Sequence, residues 1–188
     1  MTRRTFGGAV LALAALAIPA PAEARQVGGM KVPERTVVEG HVLELKGAAL
    51  QEKLWFDVYG IALYLTEPLD TADAIIDADQ VKQLRLYILR NLPGQEVRKA
   101  LLAGFQNAAP DDFETLRPRV NEMLRSIQDV HEGERIVMTY VPGTGTILRA
   151  ANGTRLTIPG EDFARALFAI WLGPNTDTPH LREQLLAP

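Results

Sequence analysis

The sequence predicts an α+β domain with a mainly antiparallel sheet and helices on one face. Three observations carry this. Strand-like runs of alternating or dense apolar residues fill residues 36–92, whereas helical stripes fill 97–127 and 163–171. The two kinds of element are grouped, which favours α+β over a parallel α/β sheet. An Asn152-Gly153 dipeptide lies between two short β-like runs, as in a hairpin.

Residues 25–35, with Gly28, Gly29 and Pro33, read as an irregular lead-in. Thr36 to Leu45 alternates roughly and predicts one or two strands through Val38, Val42, Leu43 and Leu45. Leu54 to Leu65 is dense in apolar residues, as a strand covered on both faces would be. The acidic stretch from Pro68 to Asp79 predicts a turn or short helix. Gln83 to Leu92 predicts a strand with Leu84, Leu86 and Ile88 on one face and Arg85, Tyr87 and Leu89 on the other. Pro93-Gly94 ends it.

Val97, Ala100, Leu101, Gly104 and Phe105 then fall at helical spacing. Leu116, Val120, Met123, Leu124 and Ile127 form a second stripe, with Asp111 or Asp112 as its cap. Pro118 is tolerable near a first turn and kinks a helix middle. Ile136 to Val141 is a strand ending at Pro142. Ile147–Ala150 and Thr154–Ile158 flank Asn152-Gly153, for which a type I′ turn is expected. Phe163, Ala166, Leu167, Ile170 and Trp171 form the strongest helical stripe. Gly173 is placed to end it and Pro174 to prevent its return. Pro179 opens a final short helix.

Residues 1–24 have the order of an export signal. Arg3 and Arg4 precede an apolar run from Ala9 to Ile18, and Ala22-Glu23-Ala24 fits a small-x-small cleavage site. The run is too short to span a bilayer, which takes roughly 20 residues. The mature chain, 25–188, is therefore expected in the periplasm or secreted, with no membrane span, as a monomer. Thr2-Arg3-Arg4-Thr5-Phe6 looks like a twin-arginine signal. An ordinary secretory signal oriented by two arginines is the alternative.

Of the 188 residues, 47% are hydrophobic and 23% charged, values of a globular chain able to build a core. The net charge is −3, and losing Arg3, Arg4 and Glu23 makes it one unit more negative. No basic stripe with interleaved aromatics is evident, which argues against a nucleic-acid partner. The absence of cysteine excludes thiol catalysis, thiolate metal sites and lipidation at an N-terminal cysteine.

No catalytic constellation emerges from spacing. The single serine, Ser126, lies on a helical stripe without the glycines of a nucleophile elbow. His41, His131 and His180 lack metal-ligand spacing. Gly143-Thr144-Gly145 lacks the lysine and third glycine of a phosphate loop. Glu161-Asp162 and Asp111-Asp112 fit helix first turns, where carboxylates meet the positive dipole end. No metal or cofactor is expected.

Several segments in order resemble the chalcone isomerase-like family, especially its bacterial exported members. They are Val27-Gly28-Gly29 with Pro33, then Leu43 to Leu50, Phe56 to Leu65, and Leu84-Arg85-Leu86 ending at Arg90. Later come Tyr140-Val141-Pro142-Gly143-Thr144-Gly145-Thr146, Ile158 to Phe163 and Ala169-Ile170-Trp171-Leu172-Gly173. Nearly all of residues 27–187 are covered. The resemblance implies an open-faced β-sandwich, an antiparallel sheet backed by helices, with the ligand between the two layers.

It implies three kinds of function: chalcone-type cyclisation, fatty-acid binding, or a non-catalytic helper role. In isomerases and fatty-acid binders an arginine after a Gly-Ala-Gly-x turn faces the pocket. Here that turn is Gly47-Ala48-Ala49-Leu50, and Gln51 holds the arginine position. Glutamine donates hydrogen bonds but cannot make arginine's bidentate, charge-assisted pair with a carboxylate. Tyr59 stands where lipid-binding relatives carry a pocket tyrosine. The isomerases' second tyrosine aligns near Val97 and their late hydroxyl residue near Ile170, so the isomerase pattern is largely missing. Gln51, Tyr59, Arg85 and Tyr87 are the candidate ligand contacts.

The expectation is a non-catalytic binder of an apolar or fatty-acid-like small molecule. The alternatives are an isomerase or intramolecular lyase, and a cell-envelope interaction module whose interlayer is filled by Trp55, Phe56 or Trp171. At the residue level, Tyr59 as a core aromatic, Gln51 at the surface, and Arg85 and Arg90 as solvated charges stay open.

Overall fold

The computed structural model describes residues 24–53 and 56–187. The export segment, up to Glu23, therefore lies outside the described residues, as does Trp55.

Nine strands and five helices are described: β1 (Ala24–Val27), β2 (Met30–Pro33), β3 (Arg35–Val38), β4 (His41–Lys53), β5 (Phe56–Leu65), α1 (Ala72–Asp77), β6 (Lys82–Ile88), α2 (Gly94–Ala108), α3 (Phe113–Ser126), β7 (Arg135–Val141), β8 (Gly145–Arg149), β9 (Arg155–Ile158), α4 (Glu161–Leu172) and α5 (Pro179–Leu186). Strands β3 to β9 form one seven-stranded sheet in sequence order. Every neighbouring pair in it is antiparallel. The α+β expectation holds.

Strand alternation gives the sheet two different faces. One carries Ile61, Leu63, Leu65, Leu84, Leu86, Ile88, Ile136, Met138 and Leu148, packed under all five helices. Within that layer the rings of Phe105 (α2) and Phe163 (α4) lie 5.3 Å apart. Burying one such ring stabilises by up to about 3 kcal/mol. The far face carries a smaller cluster of Leu43, Ala62, Tyr64 and Tyr87 under Met30 and Val32 of β2. The predicted split of β6 into a Leu84/Leu86/Ile88 face and an Arg85/Tyr87 face is observed.

Three local expectations are corrected. The irregular lead-in is the β1–β2 hairpin, turned by Gly28 and Gly29 at φ 50° and 79°. Asn152-Gly153 does not make a type I′ turn, because Gly153 alone of the two has positive φ. Instead Gly153 N–H bonds Ala150 O at 3.0 Å, and Ala150 N–H bonds Thr154 O at 2.9 Å. This is a three-residue loop, a type I turn followed by a left-handed glycine. Besides Gly28-Gly29, a two-residue turn with both central φ positive is formed by Glu39-Gly40, at 48° and 83°, between β3 and β4. Asp112 occupies the N-cap of α3 without a side-chain cap bond. Gly173 ends α4 as expected, in extended conformation. Its missing Cβ is required, since that atom would sit 2.6 Å from Ala169 O.

Two contacts fix the helical layer on the sheet. Gly47 in β4 lets α5 approach closely: a Cβ there would lie 2.3 Å from Leu185 O. A Gly47→Ala variant is therefore expected to lose about 1–3 kcal/mol in urea unfolding, as overpacked sites do. Lys82, on the helix side of β6, is 1% exposed. Its ammonium donates to Ile75 O, Ile76 O and Ala78 O at 2.7, 2.7 and 2.9 Å. It thus satisfies carbonyls that the end of α1 leaves without helical partners. The rings of Phe168 and Tyr140 flank it at 5.0 and 5.5 Å.

Candidate functional site

The four candidate contacts fall on opposite faces of the sheet. Gln51 pairs with Tyr59 across β4 and β5, and Ala49 with Ile61 beside them. Directly opposed residues project to the same side, and Tyr59 packs into the helix-side core. Gln51 and Tyr59 therefore both face the interlayer. Arg85 pairs with Ala62 and Tyr87 with Gly60, all four on the far face. One small ligand cannot touch all four candidates.

At the interlayer, Trp171 of α4 donates its indole N–H to the Tyr59 hydroxyl at 3.1 Å. Burial first pushes the Tyr59 pKa above the ordinary phenol value, partly offset by that bond. The phenol stays protonated and keeps its own O–H to donate. Gln51 donates its Nε2 to the Glu52 carbonyl at 2.9 Å. That carbonyl only accepts, which fixes the amide orientation. Gln51 Oε1 is left buried and unpartnered among the described residues. The pair thus offers a buried acceptor on Gln51 and a donor on Tyr59, with no charge.

On the far face, Arg85 donates one terminal nitrogen to Thr36 Oγ1 and Gln83 Oε1, each at 2.9 Å. Its guanidinium lies 5.0 Å from the centroid of the Tyr64 ring. Gln83 in turn donates to Thr139 Oγ1 at 2.9 Å. Tyr64 donates its hydroxyl to Pro33 O at 2.9 Å. Burial, then the adjacent Tyr87 hydroxyl, push the Tyr64 pKa well above the phenol range.

Sequence reading placed Trp171 on a buried stripe but had no means of setting it opposite Tyr59. Thr36, Tyr64, Gln83 and Thr139 were not singled out. Their one signal was polarity within otherwise apolar strands. Elsewhere, Asp162 in the first turn of α4 pairs with Arg119 of α3, at 2.8 Å for one of its oxygens. That bond holds its carboxyl below the ordinary value, so Asp162 ties α4 to α3, while Glu161 accepts from Arg165 of its own helix.

A meandering antiparallel sheet, helices confined to one side, and a polar pair facing the layer between them define a sheet-and-helix sandwich with an interlayer site. The chain belongs to the chalcone isomerase-like family, whose model matches residues 24–187. Among solved structures it is similar to a fatty-acid binding protein of Arabidopsis thaliana. That likeness has a TM-score of 0.68 at 19% identity, covering 87% of this chain and 96% of that one. No curated protein matches the sequence. The fold is the α+β fold of the chalcone isomerase type. No helix among the described residues is long and apolar enough to cross a membrane.

Proposed function

We propose that this is an exported, periplasmic or secreted, non-catalytic protein that binds an apolar, fatty-acid-like small molecule between sheet and helices. The observation that carries the reading is the Gln51–Tyr59 pair. By the family resemblance it corresponds to the residues that hold the lipid carboxylate in relatives; it faces the interlayer and has a buried acceptor without a partner among the described residues. The fatty-acid binding neighbour supports it. An acceptor on Gln51 and a donor on Tyr59 suit a head group that both donates and accepts. A protonated carboxylic acid or an alcohol fits. An ionised carboxylate, acceptor only, leaves Gln51 Oε1 unmatched.

Mass spectrometry of organic extracts from the purified mature protein tests the reading. A co-purifying long-chain amphiphile is expected, as is a rise in Tm on adding dodecanol. Repeated recovery of empty protein, with no lipid moving Tm, selects a second reading, the filled interaction module. The contact of buried Trp171 with partly buried Tyr59 favours that alternative. The Phe56 side chain, like Trp55, lies outside the description. A chalcone cyclisation assay is expected to show no acceleration over the uncatalysed rate, and measurable turnover would instead establish the isomerase alternative.

A further inference from the structure

We infer that the far face carries a second binding site, for the carboxylate of a small organic acid, built on Arg85 and Tyr87. It is separate from the interlayer, because the sheet itself stands between the two.

The strand register makes the site. Ala62 of β5 presents almost no side chain beside Arg85, whereas the absent Cβ of Gly60, beside Tyr87, makes way for the Met30 side chain, whose sulfur would lie 1.9 Å from it. The surrounding polar groups are committed. The bonds from Arg85 to Thr36 and Gln83, from Gln83 to Thr139 and from Tyr64 to Pro33 fix each orientation. Gln83 and Thr139 are 2% and 3% exposed, so this network is built into the fold and does not lie loosely on its surface.

Two polar atoms remain. Arg85 Nε and the Tyr87 hydroxyl are buried and have no partner among the described residues, and Tyr87 is only 6% exposed. Both groups can donate, and a buried donor without an acceptor is costly. They are two residues apart on one face of β6, about 7 Å between Cα atoms, so both donors stand on the same side of the sheet.

Charge points the same way. Among the described residues Arg85 makes no ion pair. Glu34, whose charge reaches Tyr64, is held by Arg25 at 3.2 Å. Arg135 adds a second guanidinium 5.5 Å from the Tyr87 ring. A cation and two free donors are complementary to a planar anion with two oxygens. A tetrahedral phosphate would require more donors than the cluster has left. Arg85 and Thr36 are partly exposed and form the opening, while Met30 and Val32 of β2 roof the apolar side.

The test is a titration of the full mature protein with sodium acetate against sodium chloride at equal ionic strength. The Arg85 Nε–Hε resonance is followed by nitrogen-edited NMR. Acetate is expected to move it saturably, with chloride and inorganic phosphate leaving it in place. Tyr87→Phe is expected to bind roughly tenfold more weakly, the effect of removing one hydrogen bond to a charged group. Tyr59→Phe should bind acetate as the parent does. Lack of saturation by acetate in the unmodified protein overturns the proposal, whatever the folding of any variant. An affinity unchanged in Tyr87→Phe, or an equal response to phosphate, overturns it too.

Discussion

Replacing Gln51 by arginine is expected to raise the affinity for ionised dodecanoate by roughly 10- to 100-fold. That is the worth of a charge-assisted, bidentate contact over a neutral one. The residue faces the interlayer opposite Tyr59, so the guanidinium would arrive beside a phenol that already has a hydrogen to donate. Affinity for dodecanol is expected to stay level or fall, because an uncharged head group gains nothing from the cation. The unliganded variant should also be less stable than the parent, by about 1–3 kcal/mol, since it places an unpaired charge in a partly buried position. Bound dodecanoate should restore that loss. In the parent protein the order is reversed: fatty-acid binding should strengthen as pH falls through the carboxyl range of roughly 4–5 and the head group becomes a donor. Calorimetric titrations of both proteins at about pH 4 and pH 8 measure all of this. An arginine variant that binds dodecanoate no better than the parent would place the ligand away from Gln51.

The architecture was legible because its signals are periodic. β6 alternates so cleanly that the faces of Arg85 and Leu86 follow from the sequence. The apolar density of β5 announced a strand buried on both sides, and Ile61 through Tyr64 are fully buried. Turn chemistry was less legible. Asn-Gly is the commoner type I′ pair, yet Glu39-Gly40 takes that geometry while Asn152-Gly153 forms a longer loop. Strand length and register outside the dipeptide decide which loop closes. The site was half legible. Gln51 and Tyr59 share a face because cross-strand register sets them opposite each other, and register is invisible in one strand read alone. The same limitation grouped Arg85 and Tyr87 with them, although β6 turns both to the other side. Trp171 illustrates a further limit: a helical stripe reports that a residue is buried, not which strand residue it meets.

Lys82 gives the strongest expected pH dependence. Burial lowers its pKa from 10.5 to about 8, with Arg165 adding to the shift and Asp77, Glu161 and Asp79 opposing it. An unfolded chain would hold this proton to a higher pH than the folded one does. Between about pH 8 and 10 the unfolded state therefore binds more protons, and stability rises with pH. The gain should reach about 2 kcal/mol by roughly pH 9.5, at 1.36 kcal/mol for each pKa unit. Above about pH 10 the sign reverses. Tyr59, Tyr64 and Tyr140 all have raised pKa values in the fold, so the unfolded chain loses phenol protons first and stability falls. Urea midpoints across pH 7–11 should pass through a maximum near pH 10. In Lys82→Met the rise between pH 8 and 9.5 should vanish and only the alkaline fall remain. At pH 7 that variant escapes the penalty of a buried charge but strands the carbonyls of Ile75, Ile76 and Ala78, for a net loss of about 1–3 kcal/mol. A parent protein whose urea midpoint is flat from pH 8 to 9.5 would mean that the ammonium is solvated, and that α1 is closed by water and not by this side chain.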